Sequence, residues 1–350
     1  MGVSLCLSYQ WLHWTRPSGP PSGLPDGIER TFVSTPGGRI ELLSAKPLKP
    51  TLTTPVFFAH GGMGSAWVWI PYMSYLKEHG VTSYAVSTRG HGESWHPTFF
   101  RMLYATTKRM LSDDLVAGIK AVEEKEGSEV VLVGHSSGGG LSQFIVNQGD
   151  VKVKALGLLD AVPGTGSYRV YYNWACFDPW FTIRLIFHGW HPNSPLSHPS
   201  LTRQAFFSDE LPVTELVEFQ RHCNRYESFL WPLGMLYPFI DAKRVLINII
   251  NWRNGGDRIF IMAGAADKLM TGEVQRKAAQ TYREAFTNMV NEKKIDVTVK
   301  EIKKLEGEGE MDDSGHGVTL AFVPGAGHHV QNDVQWRVGA KKMLTFLQQL

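Results

Sequence analysis

The stretch Gly134-His135-Ser136-Ser137-Gly138-Gly139 decides the fold, because it directly follows the apolar run 130–133 and opens a segment with helical character. The pattern G-x-S-x-G at a strand-to-helix junction predicts a sharp turn, with glycines where a β-carbon would meet neighbouring backbone. Such a turn lifts the serine hydroxyl above the sheet at a helix N-terminus, whose dipole favours developing negative charge. The stretch therefore predicts that Ser136 is a nucleophile; the alternative is an ordinary glycine-rich turn.

A serine nucleophile needs a base, and the base needs a group that orients it. In a sheet of this kind the partners follow in the order serine, acid, histidine, each after a later strand. Asp267 follows the predicted strand 258–262 and is the candidate acid, with a helix N-cap as the alternative. His328 follows the predicted strand 318–323 and is the candidate base, with a polar residue closing a glycine-rich turn as the alternative.

Two further residues compete for these roles, and a third is excluded by its position. Asp160 ends another predicted strand and could serve as the acid. His329 is adjacent to His328, so a shift of one residue in register would favour it. His316 precedes its strand, which places it at the wrong edge of the sheet.

A glycine-rich segment, His60-Gly61-Gly62-Met63-Gly64, follows the predicted strand 56–59. An early loop of this kind supplies a backbone N–H to the oxyanion hole in such a fold. We predict Gly62 or Met63 as one donor and Ser137, the residue after the nucleophile, as the other. We expect His60 to brace the loop, with a chemical role as the alternative.

Rival motifs are weak. Trp67 stands where the pattern G-x-G-x-x-G requires its third glycine, which argues against a dinucleotide loop. No Walker lysine motif and no H-E-x-x-H motif is present. His188, His191 and His198 have no cysteine or carboxylate nearby in sequence, so we predict no metal.

Alternating strands and helices predict an α/β fold, with a mostly parallel central sheet, helices on both faces and an inserted helical cap. We assign residues 1–28 to an N-terminal arm, 29–162 and 256–350 to the core, and 163–255 to the cap. The cap is suggested by 17 Phe, Tyr and Trp among residues 163–240. The polar segment 305–317 is predicted to be an acidic loop. Predicted strands are 30–33, 39–44, 56–59, 83–87, 129–133, 153–159, 258–262 and 318–323; predicted helices are 66–79, 107–126, 138–148, 272–290 and 333–349.

Composition limits the partners. A net charge of +2 gives no electrostatic reason to expect binding to nucleic acid or to an anionic membrane. No apolar run reaches the roughly 18 residues of a membrane span, and the N-terminus lacks the basic region of a signal peptide. Three widely spaced cysteines favour a reducing compartment, so we expect a cytoplasmic protein. The oligomeric state stays open, and a homodimer is possible.

The motifs together resemble the α/β-hydrolase superfamily, in its capped esterase, epoxide-hydrolase and haloperoxidase-like branch. The resemblance runs from about residue 50 to the C-terminus and includes Arg89-Gly90-His91-Gly92-Glu93-Ser94, which in that family packs beside the nucleophile turn. It implies that no cofactor is needed. A fainter resemblance is to filamentous-fungal hydrolases of secondary metabolism, although no motif carries it.

Three departures from the family matter. Ser136 stands where epoxide hydrolases and haloalkane dehalogenases carry aspartate, which disfavours those reactions. Asp267 and His328 lie about twice as far apart in sequence as the family leads us to expect, and the acidic loop accounts for the excess. The N-terminal extension has no family role.

The predicted activity is hydrolysis of an ester, thioester or lactone of a small hydrophobic substrate, through an acyl-enzyme on Ser136. Trp67 and Trp69 flank the glycine-rich loop and are predicted to bind the substrate, with helix core as the alternative. An acyltransferase, a C–C bond hydrolase, a lyase or cyclase using the same residues, and a ligand receptor without turnover are the other hypotheses.

Overall fold

A single nine-stranded sheet forms the centre of the computed structural model, which describes residues 7–19, 21–298 and 312–350. Along the sheet the strands follow the order β1-β2-β4-β3-β5-β6-β7-β9-β8. The strands are β1 (Glu29–Thr35), β2 (Gly38–Ala45), β3 (Leu52–Ala59), β4 (Val81–Val86), β5 (Val131–His135), β6 (Ala155–Leu159), β7 (Ile259–Gly264), β8 (Asp313–Gly315) and β9 (Val318–Val323).

The six central strands β4, β3, β5, β6, β7 and β9 are parallel to one another. The β1–β2 hairpin joins β4 in antiparallel fashion at one edge, and β8 pairs antiparallel with β9 at the other. Every residue of β5, β6, β7 and β9 is buried, because helices cover both faces of a parallel sheet. The predicted mostly parallel sheet is therefore confirmed.

Twelve α-helices surround this sheet within the described part of the chain. They are α1 (Ile70–Glu78), α2 (Phe99–Ala105), α3 (Lys108–Glu126), α4 (Ser136–Gln148), α5 (Tyr168–Phe177), α6 (Phe181–Phe187), α7 (Pro199–Phe206), α8 (Val213–His222), α9 (Leu230–Leu233), α10 (Ala242–Ile247), α11 (Gly272–Asn291) and α12 (Trp336–Leu347). Helices α3, α4, α10 and α11 contribute to the core on one face of the sheet, and α1 and α12 contribute to the core on the other. None of the helices in the described residues combines the length and the apolarity needed to cross a bilayer.

Helices α5 to α10 form one insertion between β6 and β7, which agrees with the predicted helical cap. The cap touches the core through side chains as well as through its two connections. Ser208, after α7, donates its backbone N–H and its hydroxyl to the Asp333 carboxylate, at 2.7 Å each. The boundaries that we gave to arm, core and cap stay predictions.

The N-terminal arm lies against the cap. The Tyr9 hydroxyl donates to the Phe187 carbonyl at 2.9 Å, and His191 Nε2 lies 3.0 Å from the His13 carbonyl oxygen. Further along the arm, the Ser22 N–H donates to Glu93 of the core at 3.0 Å. The arm thus connects the cap to the early loops of the core.

The structure differs from the predicted elements in three places. The predicted helix 66–79 begins as a 3₁₀ turn over Ala66–Trp69, because Pro71 suits the first turn of a new α-helix. Helix α2 was not predicted. Of the predicted acidic loop, residues 305–311 lie outside the described residues, whereas β8 forms a short hairpin with β9.

Candidate active site

The turn after β5 holds Ser136 in a left-handed backbone conformation, with φ of 51°. Such a conformation is rare outside glycine and is typical of a nucleophile at a strand-to-helix turn. A β-carbon on Gly138 would lie 2.1 Å from the His60 carbonyl oxygen, and one on Gly134 would lie 2.6 Å from the Gly139 Cα. Both positions therefore admit only glycine, as the sequence pattern predicted.

Ser136, His328 and Asp267 form a continuous hydrogen-bonded chain. Ser136 Oγ lies 3.0 Å from His328 Nε2, and His328 Nδ1 lies 2.7 Å from Asp267 Oδ2. Asp267 and His328 are buried, whereas Ser136 is partly exposed. A carboxylate accepts and does not donate, so His328 carries its proton on Nδ1 and presents the lone pair of Nε2 to the serine hydroxyl.

Asp267 is held as an anion. Burial alone would raise the pKa of its carboxyl, but His328 and hydrogen bonds, among them one from the Leu269 N–H at 2.7 Å, lower that pKa below its usual value. The other oxygen faces His328, so the carboxylate orients the imidazole and stabilises its protonated form.

Asp160 is hydrogen-bonded to Asp267, whereas the two ring nitrogens of His328 face Asp267 and Ser136. Burial, and then the Asp267 carboxylate, raise the pKa of Asp160 well above its usual value. The side chain of Asp160 is hydrogen-bonded to Asp267 and also accepts from the Gly264 N–H at 3.1 Å. A neutral Asp160 is the donor in the bond to Asp267, which helps to keep Asp267 ionised.

The two competing histidines lie elsewhere. The His329 ring packs against Phe206, Phe207 and Phe219, with centroids 4.8, 5.6 and 4.9 Å away. Burial, and then the charge of His328, lower the pKa of His329 to about 3, which keeps this ring neutral. His316 lies in the β8–β9 turn, before β9 begins, and contacts the Thr287 hydroxyl at 3.2 Å.

The oxyanion loop, which we define as residues 60–64, lies directly over the nucleophile turn. A β-carbon on Gly61 would be 2.8 Å from the Ser136 Cβ. The Gly62 N–H donates to Ser137 Oγ at 2.8 Å, and the Met63 N–H donates to Glu227 Oε2 of the cap at 3.1 Å. Of the two alternatives predicted from the loop, Met63 is therefore the one whose N–H is already bonded to a carboxyl oxygen.

The predicted second donor, Ser137, lies in the first turn of α4. The first N–H groups of a helix have no partner within the helix, so the Ser137 N–H is free of the helical ladder. Its hydroxyl accepts from the Gly62 N–H, so the Ser137 side chain lies beside the other predicted donor.

His60 is arranged as a brace. Its Nδ1 lies 2.8 Å from the Gly61 carbonyl oxygen, and its Nε2 accepts from the Thr88 N–H at 3.2 Å. Burial, and then the charge of His91, lower the pKa of His60 well below its usual value, so the ring is neutral. These bonds connect the oxyanion loop to the loop after β4.

The segment 89–94 contacts the oxyanion loop through His91 and His60, whereas its expected packing beside the nucleophile turn stays a prediction. Arg89 donates to the Asp114 carboxylate through Nε and Nη2, at 2.7 Å each, and this anchors the segment to α3. The His91 ring is 4.6 Å from the His60 ring and contacts Glu227. Sequence reasoning missed Glu227, because it lies in the cap and belongs to no motif.

The two predicted substrate-binding tryptophans differ in environment. Trp69 is completely buried and stacks on Phe58 at 4.5 Å, so we correct our expectation for it: it belongs to the core, and no surface of it is left for a substrate. Trp67 is half-buried and packs against Phe219 and His222 of the cap, at 5.1 and 5.0 Å.

Trp67 lines two cavities, of about 450 and 500 Å³. The first lies between arm, core and cap, and the second is bounded by Phe207 and Phe219. Neither is lined by Ser136 or His328. Trp67 thus faces open space near the oxyanion loop, and its role in substrate binding stays a prediction.

One group of side chains in the described part of the chain has the spacing of a metal site. Ligand atoms of Asp160, Asp267 and His328 lie within 4.8 Å of one another. Both ring nitrogens of His328 already face Ser136 and Asp267, so this donor set fits proton transfer better than a metal ion. His188 and His191 contact Ser194 and the His13 carbonyl.

The sheet, the strained serine turn and the hydrogen-bonded serine, histidine and aspartate define the class of protein as an α/β-hydrolase. The chain belongs to the alpha/beta hydrolase family, whose model matches residues 56–335. The predicted superfamily and the predicted class of enzyme, a hydrolase, are thereby confirmed.

Solved structures agree on the fold. A thermophilic esterase from Thermogutta terrifontis has a TM-score of 0.59 and 16% identity, covering 91% of this chain and 98% of its own. A bromoperoxidase from Bacillus anthracis has a TM-score of 0.60 and 16% identity, covering 91% and 100%. Carboxylesterase CesB from Bacillus subtilis has a TM-score of 0.55 and 16% identity, covering 99% and 96%.

Proposed function

We propose that this hydrolase cleaves an ester, thioester or lactone of a hydrophobic substrate through an acyl-enzyme on Ser136. The observation that carries the proposal is the chain of short contacts, 3.0 Å from Ser136 to His328 and 2.7 Å from His328 to Asp267. Two of the similar solved structures are esterases by name, which supports an ester as the bond that is cleaved.

In the proposed mechanism, His328 Nε2 takes the hydroxyl proton as Ser136 Oγ attacks the carbonyl carbon. The negative charge that develops on the carbonyl oxygen is stabilised by the backbone N–H groups of Gly62 and Ser137. Because the Ser137 hydroxyl now accepts from Gly62, we expect this side chain to turn away when the oxyanion takes its place. Protonated His328 then gives its proton to the leaving group, and water releases the acid by the same steps in reverse.

Aromatic side chains near the base support an apolar substrate. The Phe206 ring of the cap lies 5.6 Å from the His328 ring, and Trp67 packs against Phe219 at the edge of the oxyanion loop. No charged side chain touches Ser136 among the hydrogen bonds and ion pairs of the described residues, apart from His328 if it is protonated. A substrate with an apolar acyl part fits these surroundings.

Labelling with a fluorophosphonate probe tests the nucleophile. We expect the probe to modify Ser136, and Ser136→Ala to abolish the label without unfolding the protein. Ser137→Ala is the matched control: it removes a neighbouring hydroxyl but keeps the backbone N–H, so labelling should persist. A label on another residue, or one that survives in Ser136→Ala, would refute the assignment.

A substrate series then separates the remaining hypotheses. We expect aryl esters with apolar acyl groups to be hydrolysed faster than short charged ones. If product yield depended on an added alcohol, the enzyme would be a transferase. Tight ligand binding without turnover would indicate a receptor. A cytoplasmic location and the oligomeric state stay predictions.

A further inference from the structure

A buried carboxylate of the cap, Glu227, reaches the oxyanion loop and plays no part in the proposed mechanism. Its Oε2 accepts from the Met63 N–H at 3.1 Å and faces His91 Nε2 at 2.7 Å. Its Oε1 accepts from the Ser228 N–H at 2.8 Å. Glu227 is 5% exposed and His91 is fully buried, so water does not compensate either charge.

The hydrogen-bond partners of His91 show where its protons lie. Its Nδ1 is 3.0 Å from the Arg89 carbonyl oxygen, which only accepts, and 3.1 Å from the Thr88 hydroxyl. That hydroxyl can donate to His60 Nε2 and accept from His91, so a proton on Nδ1 satisfies both contacts. The contact between His91 Nε2 and Glu227 then needs a second proton. The pair is therefore either an imidazolium with a carboxylate or a neutral imidazole with a protonated carboxyl group. Burial alone would lower the pKa of His91, but Glu227 outweighs it and the pKa is raised. The pair as a whole carries no net charge.

The same segment of the cap makes a second hydrogen bond to the oxyanion loop. The Met63 carbonyl accepts from the Asn224 N–H at 2.7 Å, so both backbone polar groups of Met63 are bonded to the cap. Met63 has φ of 64°, a left-handed conformation that a residue with a side chain rarely adopts without support. The neighbouring Gly62 supplies the proposed oxyanion donor, so the conformation of this loop matters for the reaction.

We propose that Glu227, neutralised by His91, is a positioning residue by which the cap holds the oxyanion loop in the conformation required for acyl transfer at Ser136. This inference rests on the proposed function. His91 removes the cost of placing an anion beside a loop that must stabilise a second, developing anion. The cap thereby becomes part of the catalytic geometry as well as a cover for the substrate.

Charge compensation predicts an unusual pattern among variants. His91→Asn keeps a donor for the Arg89 carbonyl but leaves the Glu227 anion unpaired, so we expect the rate of fluorophosphonate labelling at Ser136 to fall about a hundredfold, by analogy with the loss of an oxyanion donor. Glu227→Gln offers one acceptor oxygen to the three donors that now face the carboxyl group, so its labelling rate should fall about tenfold. The double variant has no unpaired anion and should be labelled at least tenfold faster than His91→Asn.

Asp178→Asn is the matched control. Asp178 is also a buried cap carboxylate paired with a cation, Arg184, but it does not touch the oxyanion loop. We expect its labelling rate to stay within about threefold of wild type, with thermal melting measured for every variant. Wild-type labelling in His91→Asn, or a double variant as slow as His91→Asn, would overturn the proposal, because a purely structural role makes the damage additive. An equal loss in Asp178→Asn would overturn it as well.

Hydrogen exchange provides a readout that does not depend on serine chemistry. The Met63 amide should be protected in the wild type and should exchange faster in Glu227→Gln, whereas Asp178→Asn should leave it protected. Unchanged protection in Glu227→Gln would refute the positioning role. Failure of the proposed function would look different: wild-type Ser136 would not be labelled, whatever the exchange at Met63.

Discussion

Replacing Asp267 by asparagine tests the role of the acid most directly. In the wild type the carboxylate uses one oxygen for the N–H groups of Leu269 and Met270 and the other for His328 Nδ1. Asparagine keeps an acceptor for the two N–H groups but turns its NH₂ group toward His328. Two donors then face each other, so the imidazole moves its proton to Nε2 and loses the lone pair that receives the Ser136 proton.

The expected effect is a loss of about 10⁴-fold in kcat, or about 5 kcal/mol, because the wrong histidine tautomer is the main damage. The assay is hydrolysis of an apolar aryl ester, with labelling of Ser136 as a second measure. Asp257→Asn is the matched control, since Asp257 is a buried carboxylate that accepts from Gly315 and Thr319 far from the serine. It should keep nearly all of the activity.

Asp160→Asn separates the two candidate acids. An asparagine there can still donate to Asp267, as the protonated Asp160 does, so we expect less than a tenfold loss. The reverse result, with Asp267→Asn folded and active within tenfold and Asp160→Asn inactive, would refute our assignment and make Asp160 the acid.

Three further outcomes follow from contacts in the structure. Gly138→Ala should destabilise the fold by about 3 kcal/mol in urea denaturation, because the new methyl group would overlap the His60 carbonyl. Near-normal stability would contradict the close approach. His329 has a folded pKa of about 3, below the roughly 6.5 of an unfolded histidine, so the unfolded state binds the extra proton and stability falls as the pH drops through this window. His329→Asn should reduce this loss in the free energy of unfolding by about 3 kcal/mol at pH 4. An unchanged dependence of stability on pH would contradict the prediction. Trp67→Ala should raise KM for esters with long apolar chains about tenfold and leave KM for short esters unchanged. A lower melting temperature with no change in KM would instead assign Trp67, like its partner Phe219, to the core.

The fold was predictable from the sequence because its central strands are local and continuous. The runs at 130–133 and 318–323 are apolar along their whole length, which indicates strands buried on both faces. Residues 313–315 were not predictable in the same way, since β8 is short, polar and exposed and exists only by pairing with β9. Helix α2 has seven residues and lacks a clear helical period, so tertiary packing decides it.

The site was predictable to the extent that its residues follow strand ends. Ser136, Asp267 and His328 each lie in the loop or turn that follows a parallel strand, and such ends meet at one edge of the sheet. The buried position of Trp69 was not predictable, because Trp67 has a similar sequence context but lies on a different side of the 3₁₀ turn. Only packing distinguishes a ring stacked on Phe58 from one facing the cap.

Glu227 shows why the cap side of the site is hidden from sequence reasoning. Glu227 lies 164 positions from Met63 and 136 from His91, and no spacing rule connects them. The proposed role follows from its contacts and from charge compensation, because a buried carboxyl group needs a partner and His91 provides one from a segment of the family motif. On this proposal the core motifs provide the reacting groups, and the cap holds the loop that those groups need. On this argument, relatives that share the core but differ in the cap should hold the oxyanion loop by other contacts.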